Sequence, residues 1–302
     1  MKIESTRFPI LPTLLTLGNA LCGLGAISLA AQVLGQETTE LDMANAVLLK
    51  NAGYLIFLGM LFDMLDGRVA VWTRQTSEFG KQLDSLCDAI TFGVAPAFMM
   101  LVFSREITSV DARFFQGIAA LYTLCAILRL ARYNVEGDEA SSSAIFRGLP
   151  TPAAAGLIAA FAIALHWILK REAETPFAIL GIPLSDVVKN TIPIWTLAVS
   201  CLMVSRIRYP HITKQLIRAS KISPAHSFFR IVQITFAVVI IITLKFIALP
   251  ISFMYYIVGS PMLAITRRAT SRLRSRSQEP YPDVAEPQLE HEESTSGNGQ
   301  DA

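Results

Sequence analysis

The 302 residues are 52% hydrophobic and 17% charged, with a net charge of +2 and a positive mean hydropathy. That is too apolar for an ordinary soluble domain of this length and marks a polytopic membrane protein. The near-neutral balance and the lack of a nucleic-acid motif argue against a nucleic-acid partner. Cys22, Cys87, Cys125 and Cys201, all in apolar stretches without a CxxC pair, argue against a disulfide framework or a zinc site.

Taken in chain order, the N-terminal stretch has a basic start, but its apolar run exceeds the ~7–15 residues of a signal peptide. It is expected to remain as the first span. Crossing a bilayer takes about 20 mostly apolar residues, and six stretches approach or meet that length: 11–34, 44–65, 83–103, 114–130, 152–169 and 192–204. A Val- and Ile-rich run at 228–247 and another at 251–265 after Pro250 predict a closing helical hairpin. The expected fold is therefore all-α, a polytopic helical membrane bundle of six core transmembrane helices plus a C-terminal hairpin, eight in total. Residues 1–210 form the main membrane domain, 211–266 a connector and the hairpin, and 267–302 a basic then acidic disordered tail.

Orientation follows from Lys and Arg. One side collects Lys2 and Arg7, then Arg68, Arg74 and Lys81, then Arg129, Arg132 and Arg147, then Arg206 and Arg208, and finally the TRRATSRLRSRS stretch. The other side mixes a few basic residues, such as Arg105 and Arg113, with Glu37, Glu40, Glu106 and Asp111. This pattern predicts both termini in the cytoplasm of a multi-pass protein in a bacterial-type cell membrane.

The segment FDMLDGRVAVWTRQTSEFGKQLDSLCDAI holds four carboxylates at helical spacing, Asp63, Asp66, Asp84 and Asp88. An ionised group at membrane depth costs about 2.5–3.5 kcal/mol, so four uncompensated ones would cost on the order of 10 kcal/mol. A cation between them removes that cost. Asp63, Asp66 and Gly67 line one face at the end of the second span, and Gly80, Asp84 and Asp88 one face entering the third, with a cytoplasmic turn expected over 68–79. Hard oxygen ligands suit Mg²⁺, Mn²⁺ or Ca²⁺, and the lack of paired His or Cys argues against zinc. Two divalent ions roughly 3.5–4 Å apart would offset the charge and clamp a phosphoryl group. Gly67 and Gly80 would let a phosphate approach the backbone. Two other readings are a solvated turn with its acids paired to Arg68, Arg74 and Lys81, and an ion or proton path. The crowding of the acids at one membrane face disfavours the path.

This stretch resembles the signature of the CDP-alcohol phosphatidyltransferase family, D-x2-D-G-x2-A-R-x8-G-x3-D-x3-D. Asp63, Asp66, Gly67, Ala70, Gly80, Asp84 and Asp88 fall on its positions, while Val71 stands at its arginine. Further stretches are similar to the phosphatidylserine synthase branch: TLGNALCGLGAI with Thr16 and Asn19, LDSLCDAITFGVAPA, RLARYN, FRGLPTPAAAG and LMVSRIRYP. Thr13 stands where that branch often has asparagine.

The resemblance implies transfer of a phosphatidyl group from CDP-diacylglycerol to L-serine with release of CMP. It further implies Mg²⁺ or Mn²⁺, two ions, held by the aspartates, and a homodimer among membrane lipids. On the same carry-over Asp63, Asp66 and Asp84 are metal ligands, and Asp88 is both a ligand candidate and the general base. Gly67, Ala70 and Gly80 belong to the CDP-diacylglycerol site, with Arg68 or Arg74 supplying the charge absent at Val71. For Thr16 and Asn19 two readings stand, contact with the cytidine or diphosphate and interhelical hydrogen bonding. Arg129, Arg132 and Arg147 are read as binding phosphate or the serine carboxylate through forked hydrogen bonds; the alternative is positive-inside anchoring. Acceptors other than serine, namely glycerol 3-phosphate, an inositol phosphate or choline, use the same chemistry. A divalent-cation transporter and an inactive relative are the readings from other classes.

Overall fold

A computed structural model of the chain describes residues 10–36, 41–73, 77–140, 145–175, 178–179, 181–210, 248–259 and 261–262. The architecture is the all-α bundle expected. Its elements are α1 (Ile10–Leu34), α2 (Met43–Trp72), α3 (Glu78–Asp88), a π turn (Ala89–Val94), α4 (Ala95–Ser104), α5 (Ala112–Ala140), α6 (Thr151–Glu174) and α7 (Leu184–Val204). Two short antiparallel ladders lie in the connections, β1 (Ile145–Arg147) with β4 (Arg208–Pro210) and β2 (Ala178–Ile179) with β3 (Ile182–Pro183). A further short apolar helix, α8, covers Ala248–Gly259.

Among the described residues, five helical segments are long and apolar enough to cross a membrane: α1, the 27 residues Glu78–Ser104, α5 as far as Val135, α6 and α7. α2, 30 residues long, carries Asp63 and Asp66 and packs between α1 and α6. The six core spans read from hydropathy thus each coincide with described helix. The predicted span at 228–247 and the tail at 267–302 lie outside the described residues.

Close packing around α2 depends on small residues. A Cβ on Gly53 would lie 2.8 Å from the Ala159 carbonyl oxygen, and Ala154, Ala155, Ala159 and Ala160 of α6 are all buried. Such small-residue faces let helix backbones approach where there is no water to expel. At the end of the bundle away from the acids, Arg105 forks onto the α1 terminus, donating to Val33 O at 2.8 Å and Gln36 O at 3.0 Å. Beside it, buried Lys189 pairs with Asp186 at 2.9 Å and with Glu106. These contacts satisfy helix-end carbonyls and a buried charge at once.

Three local expectations change. The turn predicted over 68–79 is shorter, because 67–72 contains no helix breaker beyond Gly67 and α2 runs on to Trp72. It closes at Thr73, whose Oγ1 donates to Val69 O at 2.8 Å. α3 then opens on Ser77, whose Oγ accepts from Gly80 N at 3.0 Å, an N-cap. Pro250, read as a separator, instead lies within the described helix α8.

The third change is the π turn after Asp88. Pro96 has no N–H to donate to the carbonyl four residues back, Phe92 O, so the α-helical ladder is interrupted. The hydroxyl of Tyr122, completely buried on α5, donates to Phe92 O at 3.0 Å, while Thr123 Oγ1 lies 3.1 Å from Ala119 O of its own helix and 3.3 Å from Gly93 O. α5 thereby supplies a donor to the carbonyl that Pro96 leaves without one. Tyr122→Phe leaves Phe92 O without this donor inside an apolar core, a loss of about 1–3 kcal/mol. Thermal unfolding of the detergent-solubilised variant is expected to show a lowered midpoint with unchanged helical content.

Candidate active site

The acids sit where three helix segments meet: the C-terminal part of α2, the whole of α3, and the N-terminal half of α1. Asp63 and Asp66, three residues apart on α2, share a face with each other and with Asp84 across the gap. One carboxylate oxygen from each of Asp63, Asp66 and Asp84 lies within 4.8 Å of the other two. Asp66 is buried, Asp63 and Asp84 half-buried. Asp88, one turn beyond Asp84 and buried, is not in that group of three.

α1 reaches the acids twice. Thr16 Oγ1 donates to Asp66 Oδ2 at 2.7 Å, and Asn19 Nδ2 donates to Asp88 Oδ1 at 2.9 Å. Of the two roles considered for Thr16 and Asn19, the geometry is that of interhelical hydrogen bonds, with both side chains buried. Asp84 Oδ1 is buried and has no hydrogen-bond partner among the described residues. A buried anionic oxygen without a donor beside two further carboxylates fits a bound cation, which would supply the missing partner. All-oxygen donors suit a hard divalent ion.

Arg129 of α5 faces this cluster. Its Nη1 donates to Thr151 Oγ1 at 3.0 Å, its guanidinium stacks over Tyr133 at 5.6 Å, and its charge acts on Asp63 and Asp88. Arg132, half-buried, follows three residues on. Tyr133, one turn on along α5, and Thr151, across the helix boundary on α6, thus orient a cation at the site's edge. Asn134 Nδ2 donates to Ser85 Oγ at 2.8 Å and ties α5 to α3.

The other sequence candidates fall as follows. A Cβ on Gly67 would meet nothing within 4 Å, so open space lies over the backbone there. Gly80 belongs to the capped first turn of α3, where a Cβ would come 3.2 Å from Ser77 Oγ. Ala70 is half-buried on α2, whereas Arg68 and Val71 are exposed. Arg74 lies outside the described residues. Arg147 places its backbone in β1 opposite Arg208 of β4. Next to it Gly148 has φ +83, and a Cβ there would lie 2.3 Å from Met203 O. Glycine at this point lets the β1–α6 connection press against the end of α7.

The sequence profile described as CDP-alcohol phosphatidyltransferase matches residues 9–187. The chain belongs to this family, and it is a helical, polytopic integral membrane protein. It is 32% identical over 206 residues, 68% of this chain and 92% of the relative, to a CDP-diacylglycerol–serine O-phosphatidyltransferase of Bacillus subtilis. It is 35% identical over 210 residues, 68% of this chain and 72% of the relative, to an archaetidylserine synthase of Methanothermobacter thermautotrophicus. A CDP-diacylglycerol–serine O-phosphatidyltransferase of Methanocaldococcus jannaschii is 40% identical over 118 residues, 38% of this chain and 51% of that protein.

Asp84→Asn removes one of three mutually repelling charges. The metal-free variant is expected to unfold at a higher temperature than the parent, and its Mn²⁺ affinity, read by titration calorimetry, to fall at least about tenfold. Unchanged Mn²⁺ affinity would show that Asp84 is not a ligand.

Proposed function

We propose that the chain transfers the phosphatidyl group of CDP-diacylglycerol to the hydroxyl of L-serine, forming phosphatidylserine and releasing CMP. Membership of the family and similarity to relatives named for this reaction support it. The observation that carries it is the juxtaposition of Asp63, Asp66 and Asp84 around the unpartnered Asp84 Oδ1, with Asp88 buried one turn away.

Asp63, Asp66 and Asp84 would hold Mg²⁺ or Mn²⁺, two ions when fully loaded. When bound, they neutralise the diphosphate and polarise its phosphoryl oxygens. Asp88 acts as general base, a role for which a positioned group typically contributes about 10²–10⁴ in rate. It takes the proton as the serine oxygen attacks the phosphorus that carries diacylglycerol. The new P–O bond forms while the bond from that phosphorus to the bridging oxygen breaks, and CMP departs with the electron pair.

Arg129, oriented by Thr151 and Tyr133, binds phosphate or the serine carboxylate, with Arg132 beside it. The open backbone at Gly67 supports its place in the CDP-diacylglycerol site. The distribution of Lys and Arg supports a cytoplasmic site, open to water for serine and laterally to lipid. The family resemblance supports a homodimer.

With CDP-diacylglycerol and Mg²⁺, CMP release is expected with serine and not, above background, with glycerol 3-phosphate, an inositol phosphate or choline. Release with one of these and none with serine overturns the acceptor. Asp88→Asn is expected to lower kcat by about 10²–10⁴ in a protein that still extracts from the membrane folded; retained kcat overturns the base.

A further inference from the structure

Asp88 and Thr91, three residues apart across the start of the π turn, both bond the same residue of α1. Asn19 Nδ2 donates to Asp88 Oδ1 at 2.9 Å, and Thr91 Oγ1 donates to the main-chain oxygen of Asn19 at 2.9 Å. Asn19 and Thr91 are both completely buried. The result is a two-point clasp, one bond through the Asn19 side chain and one through its backbone.

Room for the clasp is made by two glycines on different helices. A Cβ on Gly23 of α1 would lie 2.5 Å from Thr91 Oγ1. One on Gly59 of α2 would lie 2.7 Å from Thr91 Cγ2 and 2.9 Å from Asn19 Oδ1. The π turn matters here as well, since its wider winding displaces the residues after Asp88 from the positions an α-helix would give them. Among the described residues Asn19 Oδ1 has no hydrogen-bond partner, and the amide's side-chain bond there is the one it makes to the carboxylate.

We infer that Asn19 and Thr91 are positioning residues for Asp88: the clasp fixes one carboxylate oxygen against α1 and so sets the direction in which the other meets the acceptor hydroxyl. The inference rests on Asp88 being the base. A rotating carboxylate spends less of its time in reach of the proton, so the loss falls on the chemical step rather than on binding.

The test compares Asn19→Ala, Thr91→Val, Thr91→Ser and Asp88→Asn in the full chain. Each is assayed for kcat and for KM of serine and CDP-diacylglycerol, together with Mn²⁺ affinity. Asn19→Ala is expected to lower kcat about a hundredfold, and the near-isosteric Thr91→Val about five- to tenfold, with both KM values and Mn²⁺ affinity within about twofold of the parent. Thr91→Ser, which keeps the hydroxyl, restores kcat.

Parent kcat in both Asn19→Ala and Thr91→Val sinks the clasp, as does a loss that appears equally in KM or Mn²⁺ affinity. Should Asn19→Ala not fold, the Val and Ser pair at Thr91 decides alone. Asp88→Asn separates the two levels: an active Asp88→Asn refutes the base itself. An inactive Asp88→Asn beside fully active Asn19→Ala and Thr91→Val refutes only the clasp.

Discussion

Mutual repulsion among Asp63, Asp66 and Asp84 is the constraint on which the rest of this bundle turns. With oxygens no more than 4.8 Å apart, each ionised pair repels by about 3.5 kcal/mol at an effective dielectric constant of 20. Hydrogen bonds to a charged group contribute about 1.5–3 kcal/mol each, and α1 offers the acids one to Asp66 and one to Asp88. Those bonds do not match the repulsion of three pairs. Arg129 adds a single positive charge at the edge. The arrangement calls for a multivalent cation, which is also what the chemistry of a diphosphate substrate requires.

Holding like charges together needs a stiff frame, and the helices supply it by approaching closely. α2 lies against α6 through Gly53 and the alanine face of its partner, and against the α1–π turn contact through Gly59. On the far side, Arg105 and the Lys189 ion pairs anchor the opposite end of the bundle. The acids are therefore fixed at one end of helices whose other end is tied down independently.

The π turn connects this frame to the chemistry. Its origin is local, Pro96 lacking an N–H, but its survival is not, because Phe92 O finds its donor on α5. One consequence is that Thr91 reaches the backbone of Asn19. A single proline eight residues beyond Asp88 thus bears on how that carboxylate is held. Tyr122 and Thr91 stand in apolar surroundings, and no spacing rule singles them out as partners of particular carbonyls.

Much of the site was legible in the chain because its information is local. Apolar runs of membrane length specify helices, and carboxylates three or four residues apart on a helix must share a face whatever surrounds them. The sequence by itself therefore determined the all-α membrane class, the four acids and their pairing by helix. Tertiary structure alone decided that three of them converge while Asp88 turns to Asn19, that Thr16 and Asn19 bond acids, and that Thr151 orients Arg129. These are contacts between residues 50, 69 and 22 positions apart. Their geometry depends on how closely helices pack and where a helix widens, and periodicity along one chain segment carries no record of either.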